Sequence, residues 1–303
     1  MIATLRRLNS WATDLTQLRG YQDSMAIILE GGCHVTDMCE GEPVFDGTLR
    51  VRNQIGRATG AQAISLRVME ISAASPAKLR NGACDEILYL VGPWEREECW
   101  ERGLPYGRKR QSAEAAELNW IFIDGHRYEV GPDTGIYVRP GETFVVVPRG
   151  PDPIVMVSVR CPEPEREPEQ DFDLNSGLAP VSDSPPPRPP LVRLADRPAQ
   201  PTADRWYRVL VDDELGSTNA TQFVGSIPPG RAPDHFHQYE EVLFILKGEG
   251  RMWAGETNTP IKPGSCIYLP KGQVHCVENT GTDELRLLGV FYPAGSPSVR
   301  YDV

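Results

Sequence analysis

No run of this 303-residue chain approaches the eighteen or so consecutive apolar residues of a membrane-spanning helix. That shortage argues against a membrane partner. Positive charge is also in deficit: 31 Lys and Arg against 42 Asp and Glu leave a formal charge of −11. A nucleic-acid partner would require clustered basic residues, so that class is set aside. Much of the acid is local, since residues 162–171 read Pro-Glu-Pro-Glu-Arg-Glu-Pro-Glu-Gln-Asp. The net charge therefore says little about a substrate. The opening residues, Met1-Ile2-Ala3-Thr4-Leu5-Arg6-Arg7-Leu8, lack the uninterrupted apolar core of a secretion signal. The cysteines are odd in number, seven in all, and no such signal accompanies them, which points to reduced thiols and a cytoplasmic location. Histidine is scarcer still, at five residues.

Three of those five fall between 235 and 275. The stretch Gly230-Arg231-Ala232-Pro233-Asp234-His235-Phe236-His237-Gln238-Tyr239-Glu240-Glu241 leads into the apolar run Val242-Leu243-Phe244-Ile245-Leu246 and then Gly248. Gly264-Ser265-Cys266-Ile267-Tyr268-Leu269-Pro270-Lys271-Gly272-Gln273-Val274-His275 follows, with Asn279 beyond. The apolar runs read as strands. Alternate side chains of a strand share a face, so His235 and His237 can point at one ion. Glu241 can add an anionic oxygen and His275 can close the set from a neighbouring strand. Three imidazoles and a carboxylate suit a divalent first-row metal. Gly264, Pro270 and Gly272 shape the turns that position His275, and Asn279 is expected to stabilise a turn.

This stretch resembles the cupin family. Its first motif is matched by Gly230, His235, His237, Glu241 and Gly248, with a gap after Gly230 one residue short of the usual. Its second is matched by Gly264, Pro270, Gly272, His275 and Asn279 without a gap. The resemblance implies an all-β fold, a small antiparallel barrel over roughly 204–303. It also implies one divalent transition metal per chain inside that barrel, on His235, His237, Glu241 and His275, and a homodimer. Fe(II) and Mn(II) stand first as the metal, with Ni(II) and Zn(II) behind them.

Proline marks the organisation. Residues 162–201 hold 11 of the 28 prolines, which excludes sheet and helix there and predicts a linker over 162–203. Leu5, Leu8, Trp11, Leu15 and Leu18 recur at helical spacing and predict a helical arm over 1–24. Between arm and linker, 25–161 reads as a worn copy of the second barrel. Cys84-Asp85-Glu86-Ile87-Leu88-Tyr89 parallels Tyr239-Glu240-Glu241-Val242-Leu243-Phe244. Aligning Glu86 with Glu241 puts Arg80 and Gly82 where His235 and His237 stand. Aligning Pro148 with Pro270 puts Pro153 where His275 stands. A lone carboxylate holds a divalent ion poorly, so the whole resembles a bicupin with one silent barrel. An insertion at 93–119 carries Trp94, Trp100 and Tyr106.

Four protein ligands on a six-coordinate ion leave two positions for a small-molecule substrate, water or dioxygen. Three function classes stay open. The first is an iron(II) oxygenase or dioxygenase, the second a non-oxidative manganese, nickel or zinc enzyme acting as decarboxylase, lyase, isomerase or hydrolase. The third is a barrel that binds a small molecule without turnover. Tyr239, Arg251, Gln222 and Asp234 are the nearest acid–base candidates, each with a stronger structural reading, and no catalytic role is assigned. Phe223, Trp253 and Tyr268 are candidate pocket walls.

Overall fold

A computed structural model describes residues 26–46, 49–72, 77–80, 82–92, 118–150, 153–164, 182, 184–299 and 301–302. The expected helical arm, nearly all of the 93–119 insertion with its aromatic residues, and residues 165–181 lie outside the described residues.

The described chain is built almost wholly of antiparallel strands, arranged as two barrels, each made of a large and a small sheet. In the first barrel the large sheet runs Leu191–Arg193, Thr134–Val138, Asp85–Leu90, Ile154–Cys161, Ser65–Ile71, Leu49–Ile55, Val44–Asp46. Its small sheet runs Ala77–Arg80, Thr143–Val147, Asn119–Ile123, His126–Val130. In the second barrel the large sheet runs Ile27–Ile28, His34–Asp37, Ser265–Leu269, Glu240–Lys247, Leu285–Tyr292, Thr221–Ile227, Arg205–Val211, Gln200–Thr202. Its small sheet runs Thr257–Ile261, Gly250–Ala254, His275–Asn279, His235–Phe236, Tyr301–Asp302, with Gly230–Arg231 also pairing His275–Asn279.

The central strands are apolar on both faces because both faces are buried. From Glu240–Lys247, Leu243 and Ile245 enter the second barrel, where they meet Met252, Ala254 and Val277 of its small sheet. Val242 and Phe244 face the other way and join Tyr268, Leu288 and Val290. That outer face meets the outer face of the first barrel's large sheet through Leu66, Val68, Ile87, Tyr89, Val157 and Val159. Leu88, Leu90, Met69 and Met156 fill the first barrel with Ile121, Phe144 and Val146. The two barrels thus pack large sheet against large sheet, and each pleated strand serves two cores.

Register ties the two copies together. Glu241 lies opposite Leu269 and Phe291, and Glu86 lies opposite Val138 and Arg160. Glu86 therefore matches Glu241, as the sequence alignment has it. The second half of that alignment needs correction. Ile136-Tyr137-Val138 pairs with the Glu86 strand as Ile267-Tyr268-Leu269 pairs with the Glu241 strand. Gly141, not Gly150, then matches Gly272: each has positive φ, and the Gly141 N–H donates to Gly82 O as the Gly272 N–H donates to His237 O. Counting on from there, Phe144 rather than Pro153 stands in the place of His275. The local Pro-Gly resemblance at 148–150 misled because barrel strands share turn chemistry; only the ladder fixes which turn is which.

Strand pairing also crosses the expected boundaries. His34–Asp37 lies within the segment read as the first barrel, yet it pairs with Ser265–Leu269 of the second. Leu191–Arg193, within the expected linker, pairs with Thr134–Ile136 of the first. The proline-rich stretch is therefore not free of regular structure: Leu191–Arg193 and Gln200–Thr202 are strands and Leu194–Asp196 is a 3-10 turn. The prolines crowd at 185–190, ahead of these elements, and Pro201 sits on an edge strand, where a missing N–H is tolerated.

Two matched latches join the barrels. Glu240 accepts from the backbone N–H groups of Gln62 and Ala63 at 2.8 and 2.7 Å, and from the Tyr268 hydroxyl. Its counterpart Asp85 accepts from the Tyr137 hydroxyl at 2.5 Å and from Asn219 Nδ2 at 2.9 Å.

Candidate metal centre

His235, His237 and His275 converge inside the second barrel, their ligand nitrogens all within 4.8 Å of one another. His235 and His275 are directly opposite across a strand pair. His237 follows two residues after His235 and lies beside Gly272, whose positive φ of 79° turns the chain back towards His275. Each imidazole is oriented in the same way. His235 Nδ1 meets Pro233 O at 3.1 Å, His237 Nδ1 meets Val299 O at 3.1 Å, and His275 Nδ1 meets Gln273 O at 2.8 Å. A carbonyl only accepts, so the proton sits on Nδ1 and the Nε2 lone pair is left for the centre. Glu241, from the large sheet of the same barrel, brings Oε2 to 3.7 Å from both His237 Nε2 and His275 Nε2.

Electrostatics favour ligation. Burial first, then the neighbouring His235, lowers His237 to about 4 and His275 to about 3, so both rings are neutral at pH 7. Burial raises the Glu241 carboxyl to about 8. A fully buried acid beside the neutral rings of His237 and His275 lacks a buried counter-charge that would ionise it. A divalent ion is what this donor set fits.

A cavity of about 120 Å³ opens onto these groups. Phe223, Leu243, Val277, Leu287 and Phe291 make its apolar wall, and Arg205 lines it near Trp206 and Ser226. Arg205 shares the inward face of its strand with Tyr207 and has Asp204 at 3.2 Å. It was missed in the sequence, although the period-two pattern Arg205-Trp206-Tyr207-Arg208-Val209 carries the signal.

Three of the four acid–base candidates are placed elsewhere, and Tyr239 packs against the centre without lining its cavity. Gln222 is fully buried between the barrels, its Nε2 3.4 Å from Leu88 O. Arg251 bonds Asn258, and Asp234 pairs with Arg231 at 3.1 Å on the outside. Tyr239 stacks on His237 with centroids 4.8 Å apart and donates to Ser296 O, supporting that imidazole. Of the proposed wall aromatics only Phe223 faces the cavity. Trp253 lies under Arg231, and Tyr268 faces the first barrel. Asn279 holds a turn through Ile227 O and Asp283 O. Cys276 points away from the centre, towards Arg231 Nε at 3.3 Å. The six described cysteines form no disulfide with one another.

The equivalent place in the first barrel is differently furnished. Arg67 Nη2 donates to Glu86 Oε1 at 2.7 Å, Arg67 Nε to Ser158 Oγ at 3.1 Å, and Ser158 Oγ to Glu86 Oε1 at 2.6 Å. Register matches Arg67 with Phe223 and Ser158 with Gly289. A guanidinium thus engages Glu86 from the position that Phe223 holds in the second barrel. Phe144, in the place of His275, is wholly buried and packs with Leu79 opposite it.

Residues 223–291 match the family model described as a Cupin domain. Over 70 residues the chain is 39% identical to auxin-binding protein 1 of Arabidopsis thaliana, covering 20% of this chain and 35% of that protein. Over 66 residues it is 38% identical to the oxalate-binding protein of Thermotoga maritima, covering 21% and 54%. The chain thus spans about a third to about half the length of the curated relatives it matches. Among solved structures, a deletion mutant of Bacillus subtilis oxalate decarboxylase aligns with a TM-score of 0.65 at 12% identity, over 97% of this chain and 86% of that one. The formate complex of the Lactobacillus farciminis oxalate decarboxylase aligns at 0.62 and 11%, over 86% of each. At such identities the likeness establishes the fold. The second barrel thus carries the Cupin match, and the chain as a whole has the two-barrel fold of these oxalate decarboxylase structures. No described helix is long and apolar enough to cross a membrane.

Proposed function

We propose that His235, His237, Glu241 and His275 hold one divalent transition ion, and that the cavity above it takes a small carboxylate for non-oxidative chemistry or binding. The observation that carries this is Arg205 in the wall of a cavity of only about 120 Å³. Pockets for drug-sized ligands run to roughly 300–1,000 Å³, so the occupant is a molecule of a few heavy atoms. An arginine facing it selects a planar anion with two oxygens. The apolar wall of Phe223, Leu243, Leu287 and Phe291 excludes water around that pair of charges and strengthens it. A divalent ion at the centre supplies Lewis-acid polarisation of a carboxylate oxygen. Oxalate, named for the oxalate-binding relative and for the decarboxylase neighbours, fits this description. Manganese stands beside iron as the metal to try first. Among the described residues the only other ionisable lining group is Tyr207, whose hydroxyl already donates to Gln200 at 2.9 Å. That favours polarisation or binding over a proton-relay mechanism. The oxygenase reading draws no support from relatives named for oxalate binding and oxalate decarboxylation.

The test is calorimetric binding of oxalate to protein loaded with manganese or iron, beside an Arg205→Ala variant. The same samples are assayed without air for formate and carbon dioxide. Tenfold or greater weakening in the variant, with metal content intact, is expected. Consumption of substrate that requires dioxygen would return the site to the oxygenase class.

A further inference from the structure

A second, larger cavity of about 860 Å³ lies on the other side of the Glu241 strand, between the barrels. Its floor is the pair His34 and Tyr268, directly opposite one another on neighbouring strands. The first barrel contributes the loop at 58–63, and Tyr292, Pro270 and Lys271 complete the rim.

His34 is only 6% exposed, and neither ring nitrogen has a hydrogen-bond partner among the described residues; Nδ1 is buried outright. Buried imidazole nitrogens without partners are rare and need explanation. Burial also lowers its pKa, leaving a neutral ring with one donor and one acceptor to spend. The acid nearby is not available to it. Glu240 already accepts from Gln62 N, Ala63 N and the Tyr268 hydroxyl. Lys271 is exposed at the rim and brings a positive charge.

The matched position on the other side of the molecule shows that this architecture can be filled. There Tyr137 replaces Tyr268 and Asp85 replaces Glu240, and the chain plugs the space itself. Arg188 lies over the Tyr137 ring at 5.1 Å and bonds Tyr137 O and Glu142, while Arg139 Nη2 closes on Gly216. At His34 no described side chain plays that part.

We propose that the His34 cleft is a second ligand site, separate from the metal pocket, for an organic carboxylate with a planar apolar body. Lys271 meets the carboxylate, His34 bonds a polar atom of the ligand at the floor, and the flat faces of Tyr292, Pro270 and Pro293 stack on its body. The volume lies within the usual range for small-molecule sites.

The probe is 2-naphthoate, titrated into the intact metal-loaded protein. Affinity is read by calorimetry, and the side-chain ¹⁵N shifts of the histidines are followed by NMR. Saturable one-to-one binding is expected, with the His34 nitrogens shifting and those of His237 and His275 unmoved. Lys271→Gln, an exposed substitution that leaves the fold intact, weakens it at least tenfold, and so does His34→Phe. Arg205→Ala leaves it unchanged. Absence of saturable binding, equal affinity in Lys271→Gln and wild type, or loss of binding in Arg205→Ala would each overturn the assignment. None of these outcomes bears on oxalate binding at the metal pocket, so the two readings fail separately.

Discussion

At the scale of single residues, the centre is defined by where protons sit. Glu241 is held near 8 by burial, and the imidazoles of His237 and His275 near 4 and 3. Between about pH 5 and 7 the rings of His237 and His275 are already neutral, and binding a cation at Glu241 must displace the proton that burial keeps there. The apparent metal affinity should therefore rise about tenfold per pH unit across that range and level off above about 8. Calorimetry in buffers of different ionisation enthalpy should count at least one proton released at pH 6.5; a pH-independent affinity would remove Glu241 from the ligand set. His237→Ala or His275→Ala should abolish stoichiometric metal. The first barrel poses the reverse case. Glu86 is 1% exposed and its charge is met by Arg67 and Ser158. Glu86→Ala should leave metal content unchanged yet cost roughly 3–5 kcal/mol in denaturant unfolding, because Arg67 stays buried without a counter-charge. Replacing both, Glu86→Leu with Arg67→Met, should recover most of that loss, since a well-packed apolar pair replaces a buried ion pair at little or no cost. Loss of about half the bound metal in Glu86→Ala would instead make the first barrel a metal site.

At the scale of strands, the legible part of the molecule was the part with unusual residues at fixed spacing. His235, His237 and His275 stand between turn-forming glycines, and few sequences offer that pattern by chance. Their convergence, with Glu241 against two of them, follows the motif. Glu86 was matched correctly for the same reason, since an acid opens an apolar run in both copies. Phe144 was missed because nothing polar marks it; an apolar residue in the place of a ligand looks like any core residue. Arg67 and Arg205 were missed because they sit alone on strands with no neighbouring motif, and their inward direction comes from pairing register. The sequence suggests Trp253 and Tyr268 as pocket walls, yet aromatic content does not say which face of a strand a ring occupies. In a sheet buried on both faces, hydrophobic alternation no longer distinguishes the inside of the barrel from its back.

At the scale of the whole molecule, the chain is less divisible than its proline-rich middle suggests. His34–Asp37 is built into the second barrel and Leu191–Arg193 into the first, while the latches at Glu240 and Asp85 reach across. Val242, Phe244 and Tyr268 of one barrel pack in the same apolar core as Ile87, Tyr89 and Val157 of the other. Cutting a protease site inserted between residues 170 and 171 should therefore leave the two fragments together on gel filtration under native conditions, with metal retained. Fragments that separate without denaturant would mean that the shared core and exchanged strands contribute little.

The exchange of edge strands also bears on descent. A gene break between the copies would hand each offspring a barrel short of one strand, with an unpaired sheet edge open to aggregation. The half that carries Gly82 and Phe144 in the places of His237 and His275 therefore cannot be cut away from the half with the histidines without opening a sheet edge in each.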